Sequence, residues 1–264
     1  MTAMRKKWIR HWGGEVLLAV WLPVALLVVW WVVTDTGASV FFPSLRSILG
    51  RFGTVWLGEG FTENVLPSMA NLAVGVLCAI VLGIVLGIVL AVLPAVELVI
   101  DPFLQFLRAV PAVALIPLIL VIAGTGPSGK IWLIAFGSIW PVLLNTIDGV
   151  KAVHPEARQA ARSFRVTRGN VFWRVLVPGA FPQISIGIRL SLSIALVVMV
   201  ASELYAANQG IGYYVLLAQQ TFRTADMWSG ILLLGVIGYL LTVGYSAIEA
   251  RILRWRETPA AMRR

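Results

Sequence analysis

Residues 76–93 read VLCAIVLGIVLGIVLAVL, 18 positions with no charge and no polar side chain beyond the thiol of Cys78. A helix of roughly 20 such residues crosses a hydrocarbon core about 30 Å thick. A transmembrane β-strand would need a shorter segment in which apolar and polar residues alternate. No alternation is present, so the stretch predicts a membrane-spanning helix and the chain an all-α integral membrane protein.

The rest of the 264 residues agrees. Hydrophobic residues make up 59% and charged residues 12%, with a mean hydropathy of +0.89. A soluble domain usually carries about twice that charged fraction and has nowhere to hide so much apolar surface. Cys78 has no partner cysteine for a disulfide within the chain, and its place in an apolar run fits a small packing residue. The net charge of +9 is read as cationic cytoplasmic loops rather than as nucleic-acid binding.

Six spans are expected, near residues 15–33, 70–93, 98–123, 131–150, 184–206 and 228–250. Residues 1–14 and 251–264 are then tails flanking a membrane domain over 15–250. Lys and Arg fix the orientation. With the N-terminus inside, the cytoplasm holds Arg5, Lys6, Lys7, Arg10, Lys151, Arg158, Arg162, Arg165, Arg168, Arg174, Arg251, Arg254, Arg256, Arg263 and Arg264, which is 15 of the 21 basic residues. Only Arg46, Arg51, Lys130 and Arg223 fall outside. The positive-inside rule therefore places both termini in the cytoplasm of a multi-pass cell-membrane protein. The first apolar run is too long for a secretory signal and no small-x-small cleavage site follows it closely, so it is read as a retained helix.

Two loops are long. The outer one, near 34–69, contains FFPSLRSILGRF (41–52), which predicts a short amphipathic helix at the interface. The inner one, 151–183, contains HPEARQAARSFRVTRGNVFWRVLVPGAFP (154–182). Pro155 suits a helix start and Glu156 its first turn, giving a helix to about Phe164. A second short helix is expected over 167–175 with Thr167 as N-cap, stopped by Pro178 and Pro182. Val171, Phe172, Val175 and Leu176 form an apolar face there, with Arg168 and Arg174 elsewhere. Two such helices outside the membrane either fold onto their own domain and the headgroups or dock on a cytosolic partner.

The segment QAARSFRVTRGNVFWRVLVPGAFP (159–182) resembles the EAA loop of binding-protein-dependent ABC importer permeases. That family's pattern is a Glu-Ala-Ala, a Gly four residues after the second Ala, and a Pro further on. By resemblance, Gln159, Ala160 and Ala161 take the EAA positions, Arg165 the Gly position and Pro178 the final Pro. Gln159 thus replaces the acid, with Glu156 one turn earlier, and Arg165 replaces the glycine of the turn between helices. A residue other than glycine is strained there if positive φ is required. FFPSLRSIL (41–49), LRAVPAVALIPLI (107–119), WPVLLNTIDGV (140–150), LVPGAFPQISIGIRLSLSIAL (176–196) and SELYAANQGIGYY (202–214) are similar to segments of the nitrate, sulfonate and taurine permease branch. The resemblance implies a six-helix type I (MetI-like) ABC importer permease working as a dimer, most simply a homodimer. It implies two cytosolic ATPase subunits, which hold ATP and Mg²⁺ so that this chain binds no cofactor, and an extracytoplasmic solute-binding protein. Coupling to the ATPase would fall on Pro155, Glu156, Gln159, Ala160, Ala161, Arg162, Arg165, Arg168, Phe172 and Pro178. The branch carries small anions such as nitrate, taurine and alkanesulfonates, and similar permeases serve hydantoin- or pyrimidine-like heterocycles.

GTGPSGKI (124–131) nearly spells a phosphate-binding loop. It places Ile131 where a Ser or Thr must hold Mg²⁺, follows no strand and faces outside, so ATP hydrolysis belongs to another polypeptide. His11 and His154 have no metal-spaced partners, and no catalytic constellation is found, so an enzyme is not expected. The rival reading is a stand-alone secondary transporter or channel. Against it stand the lack of an inverted repeat and the scarcity of intramembrane acids.

Polar residues at membrane depth mark candidate path positions. Arg108 and Arg189 either attract an anionic substrate, or pair locally (Arg108 with Asp101 or backbone opened by Pro111) and snorkel (Arg189). Glu203 resembles the acid that precedes the GIGY segment in the family, which implies a place near the external gate, in a structural or a functional role. Asn145, Ser191, Ser193 and Ser202 are further candidates, each equally able to hold helices together. Pro111 and Pro117 interrupt the third span, and non-helical backbone at depth is tolerated where it lines a cavity, so residues 108–118 are expected to line the path. Gly75, Ala79, Gly83, Gly87 and Ala91 form a small-residue ridge for close helix contact, within the subunit or across a dimer.

Overall fold

A computed structural model of the chain describes residues 21–22, 24–34, 41–153 and 163–256, and among these every regular element is helical. The elements are α1 (Val24–Thr34), α2 (Leu45–Trp56), α3 (Leu66–Val92), α4 (Pro94–Ala109), α5 (Ile116–Ala123), α6 (Pro127–Lys151), α7 (Val177–Ala206), α8 (Ile211–Gln220) and α9 (Thr224–Ile252). Among the described residues, four helices are long and apolar enough to cross a membrane: Phe61–Val92, Pro127–Lys151, Gly169–Tyr205 and Thr224–Ile252. The pair Pro94–Ala109 and Ala112–Ala123 makes a fifth if its two arms count as one span. The expected first span extends beyond the described residues. Residues 1–14 and 257–264 of the tails, and Pro155, Glu156, Gln159, Ala160, Ala161 and Arg162, also lie outside them.

The core is the contact of α3, α6 and α7, and glycines set its closeness. The α3 sequence is apolar all round, and its buried stripe is marked by small residues, including Gly75, Ala79, Gly83 and Gly87. A Cβ on Gly75 would fall 2.6 Å from Ile134, one on Gly83 2.9 Å from Val142, and one on Gly87 2.6 Å from Thr146. All three neighbours belong to α6, so the ridge packs within the subunit. Leu72, Ile116, Ile134, Ala195 and Met199 complete the main apolar cluster between these helices.

The third span departs most from expectation. Its two arms meet at 79°, not as one interrupted helix. Val110 and Pro111 are extended at the break, as expected of a residue preceding proline. One arm, α4, buries no residue, and Leu98 and Val99 on it are each 78% exposed.

The inner loop also differs from its reading. Pro178 and Pro182 do not stop a helix, because a single helical course runs from Arg168 through Ala206. A π-helical turn, Phe172–Leu176, with Val177 N–H donating to Phe172 O, leads into α7. The matching turn Phe61–Val65 lies just before Pro67 at the head of α3. A widened turn relieves the clash of the proline ring with the carbonyl before it, so the helix continues where proline would otherwise break it.

The expected amphipathic helix is present as α2, and it is clasped to α9. Trp56 is 2% exposed, and its Nε1 donates to Ser229 Oγ at 3.1 Å. Arg51 pairs with Asp226, with Nη2 3.1 Å from Oδ2, and Arg223 Nη1 lies 3.4 Å from the same carboxylate. That hydrogen bond holds the Arg51 guanidinium above its ordinary pKa. Both arginines are half-exposed, so exchange D226N is expected to lower stability by only about 1 kcal/mol. The midpoint of thermal unfolding in detergent would read it, with the difference shrinking in high salt.

Candidate functional site

At the end of the bundle where α6 begins, buried polar groups gather around the connection 207–210. Glu203, one turn before the end of α7, is 1% exposed. Ser68 Oγ donates to its Oε1 at 2.6 Å and the Gly212 N–H to its Oε2 at 2.9 Å. Ser68 in turn accepts the Ile211 N–H at 3.0 Å, and Asn64 Oδ1 accepts the Gly210 N–H at 3.0 Å. These bonds tie the head of α3 to the start of α8, which the sequence reading did not foresee as a helix. Gly210 makes the turn with φ +126°, and a Cβ there would sit 2.5 Å from the Glu203 carboxyl carbon. Replacing Ser68 by Ala removes a donor and an acceptor at a fully buried position. The expected loss is about 2 kcal/mol, read as a lower unfolding midpoint, with S68T closer to the native protein.

Two cavities open on this end. One, of about 430 Å³, lies between α3, the start of α6 and the 207–210 connection, and is lined by Asn71, Thr125, Lys130, Asn208 and Gln209 among others. The other, of about 810 Å³, is lined by Glu59, Glu63, Tyr213, Tyr214 and Arg223 among others. Burial, and then Asp226, push the Tyr214 phenol above its ordinary pKa, while the Arg223 guanidinium stands 5.9 Å over its ring.

The predicted path residues divide into two groups. Ser191 is fully buried and its Oγ donates across to Ser138 O at 2.7 Å. Ser202 is buried with its hydroxyl on Met199 O at 2.7 Å. Asn145 donates to Pro141 O at 2.8 Å and accepts from Gln183 at 2.9 Å. Arg189 is ion-paired with Glu249, whose other oxygen accepts from Ser185 at 2.8 Å. Ser191, Asn145 and Arg189 are thus engaged between helices, and Ser202 within its own. Arg108, Pro111, Pro117 and Ser193 are exposed on the single chain, and Asp101 accepts from Gln105 rather than from Arg108.

At the opposite end of the bundle, Lys151 Nζ lies 2.6 Å from Glu97 Oε1 and the coupling loop begins. Arg165 has φ +52°, so the position aligned with the family glycine does take a left-handed turn, here without glycine. Phe172 opens the π turn, Arg168 the short helix before it, and Pro178 lies in the first turn of α7. Lys130 and Asn71 were missed in the sequence. Lys130 reads there as an outer-loop cation, yet it is 6% exposed.

Residues 79–254 match the family described as binding-protein-dependent transport system inner membrane component. The chain is 31% identical over 262 residues to the taurine transport system permease protein TauC of Escherichia coli, covering 97% of this chain and 95% of that one. It is 32% identical over 239 residues to the putative aliphatic sulfonates transport permease protein SsuC of Bacillus subtilis, covering 90% and 87%. The bicarbonate transport system permease protein CmpB of Synechocystis is 26% identical, covering 94% and 92%. A crystal structure of an amino acid ABC transporter with histidines superposes with a TM-score of 0.54 at 17% identity, covering 74% of this chain and 92% of that one. At that identity it speaks for the fold alone.

The chain belongs to the binding-protein-dependent transport system inner membrane components, so it is a multi-pass permease component of an ABC transport system. Within that family it falls in the sulfonate, taurine and nitrate branch.

Proposed function

We propose that this chain is one of two permease subunits, most simply a homodimer, of an ATP-driven importer for a small organic or inorganic anion. A separate pair of ATPase subunits hydrolyses ATP, and an extracytoplasmic binding protein delivers the solute. The observation that carries this reading is the family match over 79–254. The named solutes of the relatives, taurine, aliphatic sulfonates and bicarbonate, support the anion.

The six-span topology completes the apolar α1 with residues before it and counts the bent pair as one crossing. Basic-residue placement puts the termini and the 151–183 loop in the cytoplasm. The α2 and α8 end, with both cavities, then faces outward. The uncovered apolar arm α4, with Leu98 and Val99 exposed, is available for lipid or the second subunit, and residues 108–118, with Arg108, Pro111 and Pro117 exposed, for the path. The coupling loop, with its left-handed residue Arg165, moves with the ATPase. It shifts the permease between two states only through contacts that differ in those states.

Uptake tests the reading. The complex purified from its own membrane and reconstituted into liposomes should accumulate labelled taurine or another small sulfonate, nitrate or bicarbonate only with binding protein outside and ATP within. Accumulation without ATP would identify a secondary transporter instead.

A further inference from the structure

The cavity at the start of α6 contains two polar side chains without partners. Lys130 is 6% exposed, as is Asn71, and both line this space of about 430 Å³. Neither has a hydrogen-bond or ion-pair partner among the described residues. Their polar atoms stay open to this space, since among the described residues only Trp30 Nε1 is fully enclosed without a partner, and an ammonium held at a largely buried position is normally paired. Glu203 is close enough to act on Lys130 electrostatically, but the two form no ion pair. The carboxylate oxygens are instead occupied by Ser68 and the Gly212 N–H.

A third feature points into the same space. The 25-residue helix α6 starts at Gly126 with no side chain capping its first N–H groups. Gly126 and Pro127 line the cavity. Uncapped N–H groups and the positive end of the helix dipole favour an anion. An ammonium with three donors, an amide and a helix start together match the oxygens of an oxyanion. The volume is that of a small-molecule site.

We propose that this cavity is an oxyanion site, holding the sulfonate, carboxylate or similar group of a small monoanion against Lys130 Nζ and the Asn71 amide. With the orientation argued above, it lies at the outer mouth. The solute released by the binding protein rests there before the path opens, and that placement, unlike the binding itself, relies on the importer reading. A lipid phosphate offers the same chemistry, so the source of the anion must be measured.

The test uses the full-length protein, delipidated in a neutral detergent, titrated with methanesulfonate and separately with short-chain phosphatidylglycerol at constant ionic strength. Calorimetry gives the affinity and native mass spectrometry the retained lipid. Saturable methanesulfonate binding weakened about tenfold or more in K130M, and largely kept in K130R, is the expected result. Asn71→Asp should weaken it similarly, and it decides the matter if K130M does not fold. Retention of phosphatidylglycerol that depends on Lys130, without methanesulfonate binding, would keep the oxyanion site but overturn its use for the solute. Binding of neither probe, or binding indifferent to both substitutions, would overturn the site. Because no ATP enters the measurement, that failure would leave the importer reading standing, and ATP-independent uptake would leave the site standing.

Discussion

Leucine at Gly187 will separate α7 from α6 and leave little folded protein. A Cβ at this position would lie 2.6 Å from Pro141 O, 2.9 Å from Asn145 Cβ and 3.1 Å from Val142 Cα. Two of those atoms are backbone, so no rotamer change makes room and the helices must move apart. Between membrane helices, close backbone approach is the main source of association, since lipid tails are as apolar as leucine. Overpacking costs about 1–3 kcal/mol in ordinary cores and occasionally more; here the upper end is expected, as a large fall in monodisperse yield and unfolding midpoint. Gly235→Leu is the control, because nothing lies within 4 Å of a Cβ there. It should change stability by less than about 0.5 kcal/mol. Equal behaviour of the two variants would mean that α6 and α7 do not approach as described.

Alanine at Gly210 is expected to be nearly as damaging, by a different route. The backbone at φ +126° and ψ 164° lies in a region essentially reserved for glycine, at a cost of about 1–3 kcal/mol for other residues. The added methyl also meets the Glu203 carboxyl, 2.7 Å from each oxygen. The carboxylate must then leave Ser68 and the Gly212 N–H, losing about another 1–3 kcal/mol. The two contributions can be separated. In the double variant G210A/E203A the clash is gone but the strain remains, so the double substitution should cost clearly less than the sum of the single ones. Simple additivity would show that Glu203 does not pack against the turn.

These two sites differ in how much of them the sequence reveals. The apolar runs near 70–93, 131–150, 184–206 and 228–250 are legible because crossing a bilayer demands length and hydrophobicity. The observed helices are longer mainly at their ends: α3 begins at Leu66 and α9 at Thr224. The small-residue ridge of α3 is legible as a pattern, but its partner is not. Only the structure sets Gly83 against Val142 and Gly87 against Thr146.

What stays hidden depends on contacts far apart in the chain. Pro111 announces a break, but a missing N–H says nothing of the 79° between the two arms. Pro178 and Pro182 read as stops because the rule for proline assumes an α-helical ladder; the π turn at Phe172–Leu176 removes that assumption for Pro178, while Pro182 is carried inside α7. Lys130 sits one turn into α6 and counts as an outer cation by position. Its burial follows from where α3, the start of α6 and the 207–210 connection come together, which no local pattern encodes. The departure of Arg165 from glycine was legible, and the left-handed turn at that position is kept despite it.

Partnership with an ATPase and a binding protein is what sets an importer permease apart from a stand-alone transporter. Its most direct test is gentle affinity purification of the chain from its native membrane, with mass spectrometry of everything that accompanies it. A stoichiometric P-loop ATPase together with a solute-binding protein is the predicted result. Chain recovered without an ATPase, while a known importer treated alongside keeps its own, would contradict the account.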